Sequence, residues 1–194
     1  YDKFYLSGAL AAIVPNAVYS EDGKPFPFER FLGKTRCSHV LPSRNFEKAK
    51  AHLVFGTGWP SFGLNVWQNI WAATAKPPFF DATIKTCGVD QQATQRVAMK
   101  TAIAAFSEQG AFATREEHYK GTIREGKLAD IIVVDEDPYN SQLFKLRAKK
   151  QGSNFVRQSS ESKPNELKIS MTFSNGVPIY DLSKPVIKTS GEPE

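Results

Sequence analysis

The sequence is poor in the side chains that bind metals and form disulfides. It holds three histidines, His39, His52 and His118, and two cysteines, Cys37 and Cys87. No two histidines stand at metal-ligand spacing and no His-x-His occurs, which argues against a metal site built from this chain alone. His39 reads as a loop residue, His52 as a strand start and His118 as a helix end, each in a surface or packing role. Two distant cysteines can bridge, but they do not make a disulfide framework and fix neither redox compartment nor location. Long apolar runs are absent too. No stretch of about 18 apolar residues occurs, so no membrane span is expected. Ala9 to Val14 is too short for the apolar part of a signal peptide, and no basic segment precedes it. The chain opens on Tyr1 rather than Met, as a processed or truncated product would. It has no Gly-x-Ser-x-Gly elbow, no phosphate loop and no Cys-x-x-Cys. Gly56-Thr57-Gly58 falls short of a phosphate-binding fingerprint.

What is present is a core. Apolar residues make up 41% of the 194 and aromatics 12%, enough for one large domain or one and a half small ones. The net charge is +5. Its basic residues cluster late, at Lys145, Arg147, Lys149, Lys150 and Arg157, and nucleic-acid binding through counterion release is one reading of them. No stacking aromatics alternate with these charges, so a solvated polar excursion is expected and nucleic acid is not the expected partner.

The apolar run Gly8 to Val18 predicts a buried strand that stops at Pro15. Residues 19–36 read as a loop, broken by Asp22-Gly23, Pro25 and Pro27. Pro42 to Ala51 predicts a short helix capped by Ser43, and His52 to Gly56 a second buried strand entering a tight turn. Strand, loop, helix, strand is the order of a parallel α/β unit. Leu64 to Thr74 has helical spacing, with Trp59, Trp67 and Trp71 expected to pack densely and Pro77-Pro78 to end the helix. Asp90 is placed to cap a long helix from Gln91 to Ser107, and a shorter helix is expected over Ala111 to His118. Glu125-Gly126 marks a turn, and Ile131 to Val134 predicts a strand buried on both faces. Residues 140–166 read as a flexible polar insertion. Leu167 to Phe173 alternates as a half-buried strand does, Asn175-Gly176 signals a hairpin turn, and Val177 to Tyr180 returns. The tail after Lys184 is expected to fray.

Three segments carry a family resemblance. Gly121-Thr-Ile-Arg-Glu-Gly-Lys-Leu-Ala-Asp-Ile-Ile-Val-Val-Asp135, followed by Asp137-Pro138, resembles the G-S-I-x-x-G-K-x-A-D-x-V-V-L-D…D-P segment of the amidohydrolase superfamily. Asn175-Gly176 with Val177 to Tyr180 resembles that family's closing V-x-x-T-x-x-N-G-x-x-V-Y. Phe55-Gly56-Thr57-Gly58-Trp59-Pro60 is similar to the F-G-S-D-W-P segment of the amidohydrolase-3 type. Ala11 to Pro15 stands where that type's seventh strand would be, and Ala111-Phe112-Ala113 fits its A-A-Y-A stretch.

The resemblance implies an α/β fold: the C-terminal part of a metal-dependent hydrolase (β/α)8 barrel plus strands of a small composite β-sandwich. Residues 1–120 would hold the last strands and helices of the barrel, and 121–183 the sandwich segment with its polar insertion. Residues 184–194 would form a flexible tail. The implied reaction is hydrolysis of a non-peptide carbon–nitrogen bond by metal-activated water, the metal being a divalent ion such as zinc. The other ligands would lie on strands preceding Tyr1. No metal is therefore expected on this chain alone, which would be inactive by itself. The implied partner is the missing N-terminal barrel portion or a second chain, with a homo-oligomer as another possibility. Gly58 stands where the family has the aspartate that relays the water's proton, and Trp59 is a candidate substrate contact. Glycine neither ligates nor takes a proton. It equally serves a turn that needs positive φ. Asp81 and Asp90 are distant in sequence and already explained as loop and cap, while Asp130, Asp135 and Asp137 read as structural. The alternative function is a non-catalytic binding or scaffold protein that keeps the fold.

Overall fold

A computed structural model describes residues 1–18, 28–37, 39–74, 95–140, 150–151, 154–155 and 167–184. Two strands organise the first half: β1 (Leu10–Ile13) and β2 (His52–Phe55). They pair in parallel, Leu10 opposite His52 through Ile13 opposite Phe55. The Gly56 N–H donates to the Ile13 carbonyl at 3.0 Å and extends the ladder by one residue. Ala11 and Ile13 of β1, and Leu53 and Phe55 of β2, face the same buried side. A parallel pair needs a crossover, which here carries α2 (Phe28–Cys37) and α3 (Ser43–Lys48). Ahead of β1, α1 (Asp2–Ser7) sets Tyr1 and Phe4 edge-on to Phe46 of α3, with ring centroids 5.0 and 4.9 Å apart. Among the described residues three further helices follow: α4 (Val66–Thr74), α5 (Met99–Phe106) and α6 (Glu108–Ala113). α5 and α6 pack on β2, and α5 also packs on α4. Ala102 and Ala105 have no exposed surface, so the small side chains of α5 let it approach its neighbours closely.

Several expectations need correction. Residues 28–36 are helical rather than loop, but α2 is two helical pieces joined across a kink at Gly33, whose φ of 70° and ψ of 165° are not helical. Pro42, not Ser43, is the N-cap of α3. Ser43 is buried in the first turn and makes no capping bond. Of the helix expected from Gln91, residues 91–94 lie outside the described residues and 95–98 are not helical; α5 begins at Met99, because the Val97 N–H donates to the Ala73 carbonyl at 3.0 Å and Ala98 is extended (φ −67°, ψ 153°). Val97 is a buried strap rather than a helical position. The next helix, Glu108–Ala113, starts three residues and ends five residues earlier than predicted; at its end the Thr114 hydroxyl turns back on the Ala111 carbonyl at 3.1 Å. Cys37 is fully buried and disulfide-bonded. Residues 19–27, Pro77-Pro78, Asp81, Cys87, Asp90, most of 140–166 with its basic side chains, and the tail after Lys184 lie outside the described residues.

The second half is an antiparallel sheet of β3 (Ile131–Val134), β6 (Ile169–Ser174) and β7 (Val177–Asp181), in the order β3-β6-β7. Within the intervening stretch, β4 (Lys150–Gln151) and β5 (Asn154–Phe155) pair with each other as an antiparallel two-stranded ladder. Asn175 (φ 49°) and Gly176 (φ 79°) are both left-handed, as a two-residue hairpin requires. Asp130 accepts the Asn175 N–H at 2.8 Å, and Asp135 accepts the Lys168 N–H at 2.9 Å. Asp137 closes its own turn by accepting the Tyr139 N–H at 2.9 Å. These three aspartates hold loop ends. β3 is not buried on both faces, for Ile132 is 51% and Val133 41% exposed.

The segment joining the two halves is tied by polar contacts. Lys127 Nζ donates to the Glu117 carbonyl at 2.6 Å and to the Thr122 hydroxyl at 2.7 Å. The ion pair with Lys120 at 2.8 Å, together with the Thr114 hydroxyl at 2.6 Å, holds the Glu116 carboxyl below its ordinary value of 4.5. A lowered folded-state pKa adds stability above the unfolded value, and that increment is lost as pH falls through the folded value. Glu116→Gln is therefore expected to lower the denaturant midpoint slightly at neutral pH. The gap to the parent closes in acid, a trend that paired denaturation series would read directly.

Candidate functional site

In α/β units, ligand sites gather where parallel strands end at their carboxyl termini. Here that edge is formed by Val14-Pro15-Asn16 after β1 and by residues 56–65 after β2. Pro15 opens a 3₁₀ turn, Pro15–Val18, beyond β1. A buried asparagine joins the two strand ends. Asn69, on the first turns of α4, is 1% exposed. Its Oδ1 accepts the Asn16 N–H at 3.0 Å, and its Nδ2 donates to the Asn65 carbonyl at 3.2 Å. Asn65 in turn caps α4 by accepting the Gln68 N–H at 3.1 Å, so the helix begins at Val66 rather than Leu64. Sequence reasoning missed Asn69 because it lies inside an apolar helix, although a lone carboxamide there is a signal for a buried clamp. Asn69→Ala strands the Asn16 N–H, and a loss of about 1–3 kcal/mol is expected. Hydrogen exchange at the Asn16 amide should accelerate with it.

Gly58 occupies the turn after β2 with φ 73°. The turn closes through the Phe62 N–H, which donates to the Gly58 carbonyl at 3.2 Å. A Cβ added at Gly58 would stand 2.7 Å from Phe62 Cδ2 and 3.1 Å from Val14 Cγ1. The position is thus packed as well as left-handed. Trp59 follows it, joined to Pro60 by a cis peptide, and is 65% exposed. It does not share the packing of Trp71, which is buried, or of Trp67, which lies against the core. The turn after β2 aims the indole outward.

The profile of the amidohydrolase family matches residues 8–180. The chain belongs to the amidohydrolase family. No curated protein matches its sequence. Among solved structures, an uncharacterized metal-dependent hydrolase from Pyrococcus horikoshii OT3 aligns with a TM-score of 0.59 at 19% identity, over 72% of this chain and 27% of that one. Guanine deaminase from E. coli aligns at 0.51 and 19% identity, over 93% and 35%. A zinc-bound adenosine deaminase from Xanthomonas campestris aligns at 0.49 and 18% identity, over 91% and 34%. At such identities the likeness is one of fold, and the chain spans about a third or less of each structure's length.

Metal ligands are the chemistry that this family implies, and the described residues do not fit one. Residues 14–18 and 56–65 contain no histidine, cysteine or carboxylate. His52 sits at the opposite end of β2, where it stacks on Phe112 at 4.1 Å and bonds Gln109 Oε1 at 3.0 Å. His39 lies in a turn between α2 and α3, and His118 follows α6 beside Glu117 at 3.6 Å. No three metal-binding side chains come together among the described residues.

Proposed function

We propose that this chain contributes the last two strands of a (β/α)8 barrel, within residues 1–120, to a metal-dependent hydrolase of non-peptide carbon–nitrogen bonds. Residues 121–183 contribute strands to a small β-sandwich. The family match over 8–180 supports this reading. So do the two sheet types, a parallel pair with a helical crossover and an antiparallel triplet. One observation carries the functional conclusion: in a chain of this family, the strand end that should bear the proton-relay aspartate bears a tightly packed glycine. The chain alone therefore does not hydrolyse. The metal ligands come from a further portion or a second chain, and the exposed Trp59 offers the substrate an apolar face.

The sheet edges support a need for that further portion. Proline 178 removes an N–H from β7 and blunts that edge, whereas β3, Ile-Ile-Val-Val, has neither proline nor charge. The β1–β2 pair has no third strand among the described residues. Native mass spectrometry of the purified chain is expected to give assemblies larger than 21.6 kDa. A well-folded monomer at that mass contradicts the reading.

A second reading, a non-catalytic scaffold that keeps the fold, is favoured by the side chains of Phe62 and Val14 crowding position 58. Stoichiometric zinc together with amide hydrolysis by the unmodified protein would sink it.

A further inference from the structure

We infer that Phe62 has taken the place of the side chain at position 58, so that the loss of the carboxylate is packed into the fold and one substitution does not reverse it. The resemblance alone describes a missing group. The geometry describes a filled one. Phe62 lies four residues after Gly58, on the same turn, and its N–H closes that turn on the Gly58 carbonyl. Its ring edge comes within 2.7 Å of any Cβ at 58, a separation that real Cβ atoms essentially never show. Val14, at the end of the neighbouring strand, bounds the same space from the other side at 3.1 and 3.3 Å. Phe62 is half-buried and its own N–H closes the turn, so a side chain at 58 has to displace the ring rather than enter open space. Restoring a carboxylate thus requires shortening Phe62 together with replacing Gly58.

The inference rests on reading position 58 as the relay position, but its test reads packing alone and stands or falls apart from any hydrolysis. The test is a double-mutant cycle on the full chain: parent, Gly58→Ala, Phe62→Ala and both together, followed by thermal melting. Gly58→Ala is the mildest probe, and the strain of its left-handed backbone is the same in both backgrounds and cancels. The pair should couple, with Phe62→Ala removing about half of the melting-temperature loss caused by Gly58→Ala. Gly58→Asn is a second probe, because asparagine tolerates left-handed backbone while keeping the volume of aspartate. It too should be relieved by Phe62→Ala. Additive losses in both cycles overturn the inference.

Discussion

Gly121→Ala is expected to cost about 3 kcal/mol and to lower the melting temperature by about 6–12 °C. Gly121 adopts φ 91°, in a region that residues with a side chain rarely enter. A Cβ there would stand 2.6 Å from the Ala111 Cβ, 3.1 Å from the Glu108 Cα and 3.2 Å from the Ser107 carbonyl oxygen. Two of these three are backbone atoms of α6 or its cap, which do not swing aside as a flexible side chain would. Strain and collision therefore add. The glycine that opens the G-T-I-R-E-G-K segment is there because the connection to the sheet passes directly against α6. Differential scanning calorimetry measures the loss. A shift within experimental error would mean that this approach is looser than described.

Gly58→Asp is expected to destabilise by about 1–3 kcal/mol, chiefly from overpacking against Phe62 and Val14, and to restore no hydrolysis. The same substitution in an intact site lacking only its aspartate would carry a smaller structural cost and a gain in rate. The two outcomes differ in whether hydrolysis appears. Chemical denaturation and an amide-hydrolysis assay on one preparation separate them.

How far the sequence discloses this molecule can be judged from particular residues. The parallel pairing of β1 and β2 follows from two short apolar runs separated by a helix-bearing connection. The β6–β7 hairpin follows from Asn175-Gly176. Both rest on local chemistry that neighbours reinforce. The start of α5 is not legible, because the Ala73 carbonyl draws Val97 out of the helix, and that carbonyl is distant in sequence. The exposure of Ile132 and Val133 contradicts their apolar pattern, which describes what a strand needs covered rather than what covers it. At the candidate site, Gly58 stands out in the sequence only as a missing aspartate. Its second property, the packing of Phe62 and Val14 around it, depends on the parallel register of β1 and β2. The Asn69 clamp is hidden for the same reason, since Asn16 and Asn69 meet only across the fold.

The central claim is that the strand ends of this amidohydrolase-family chain offer no metal site of their own. Titrating zinc into the purified, metal-stripped chain by isothermal calorimetry tests it most directly. The account predicts no stoichiometric binding, and none gained by Gly58→Asp. One zinc bound per chain with micromolar affinity or better would contradict it.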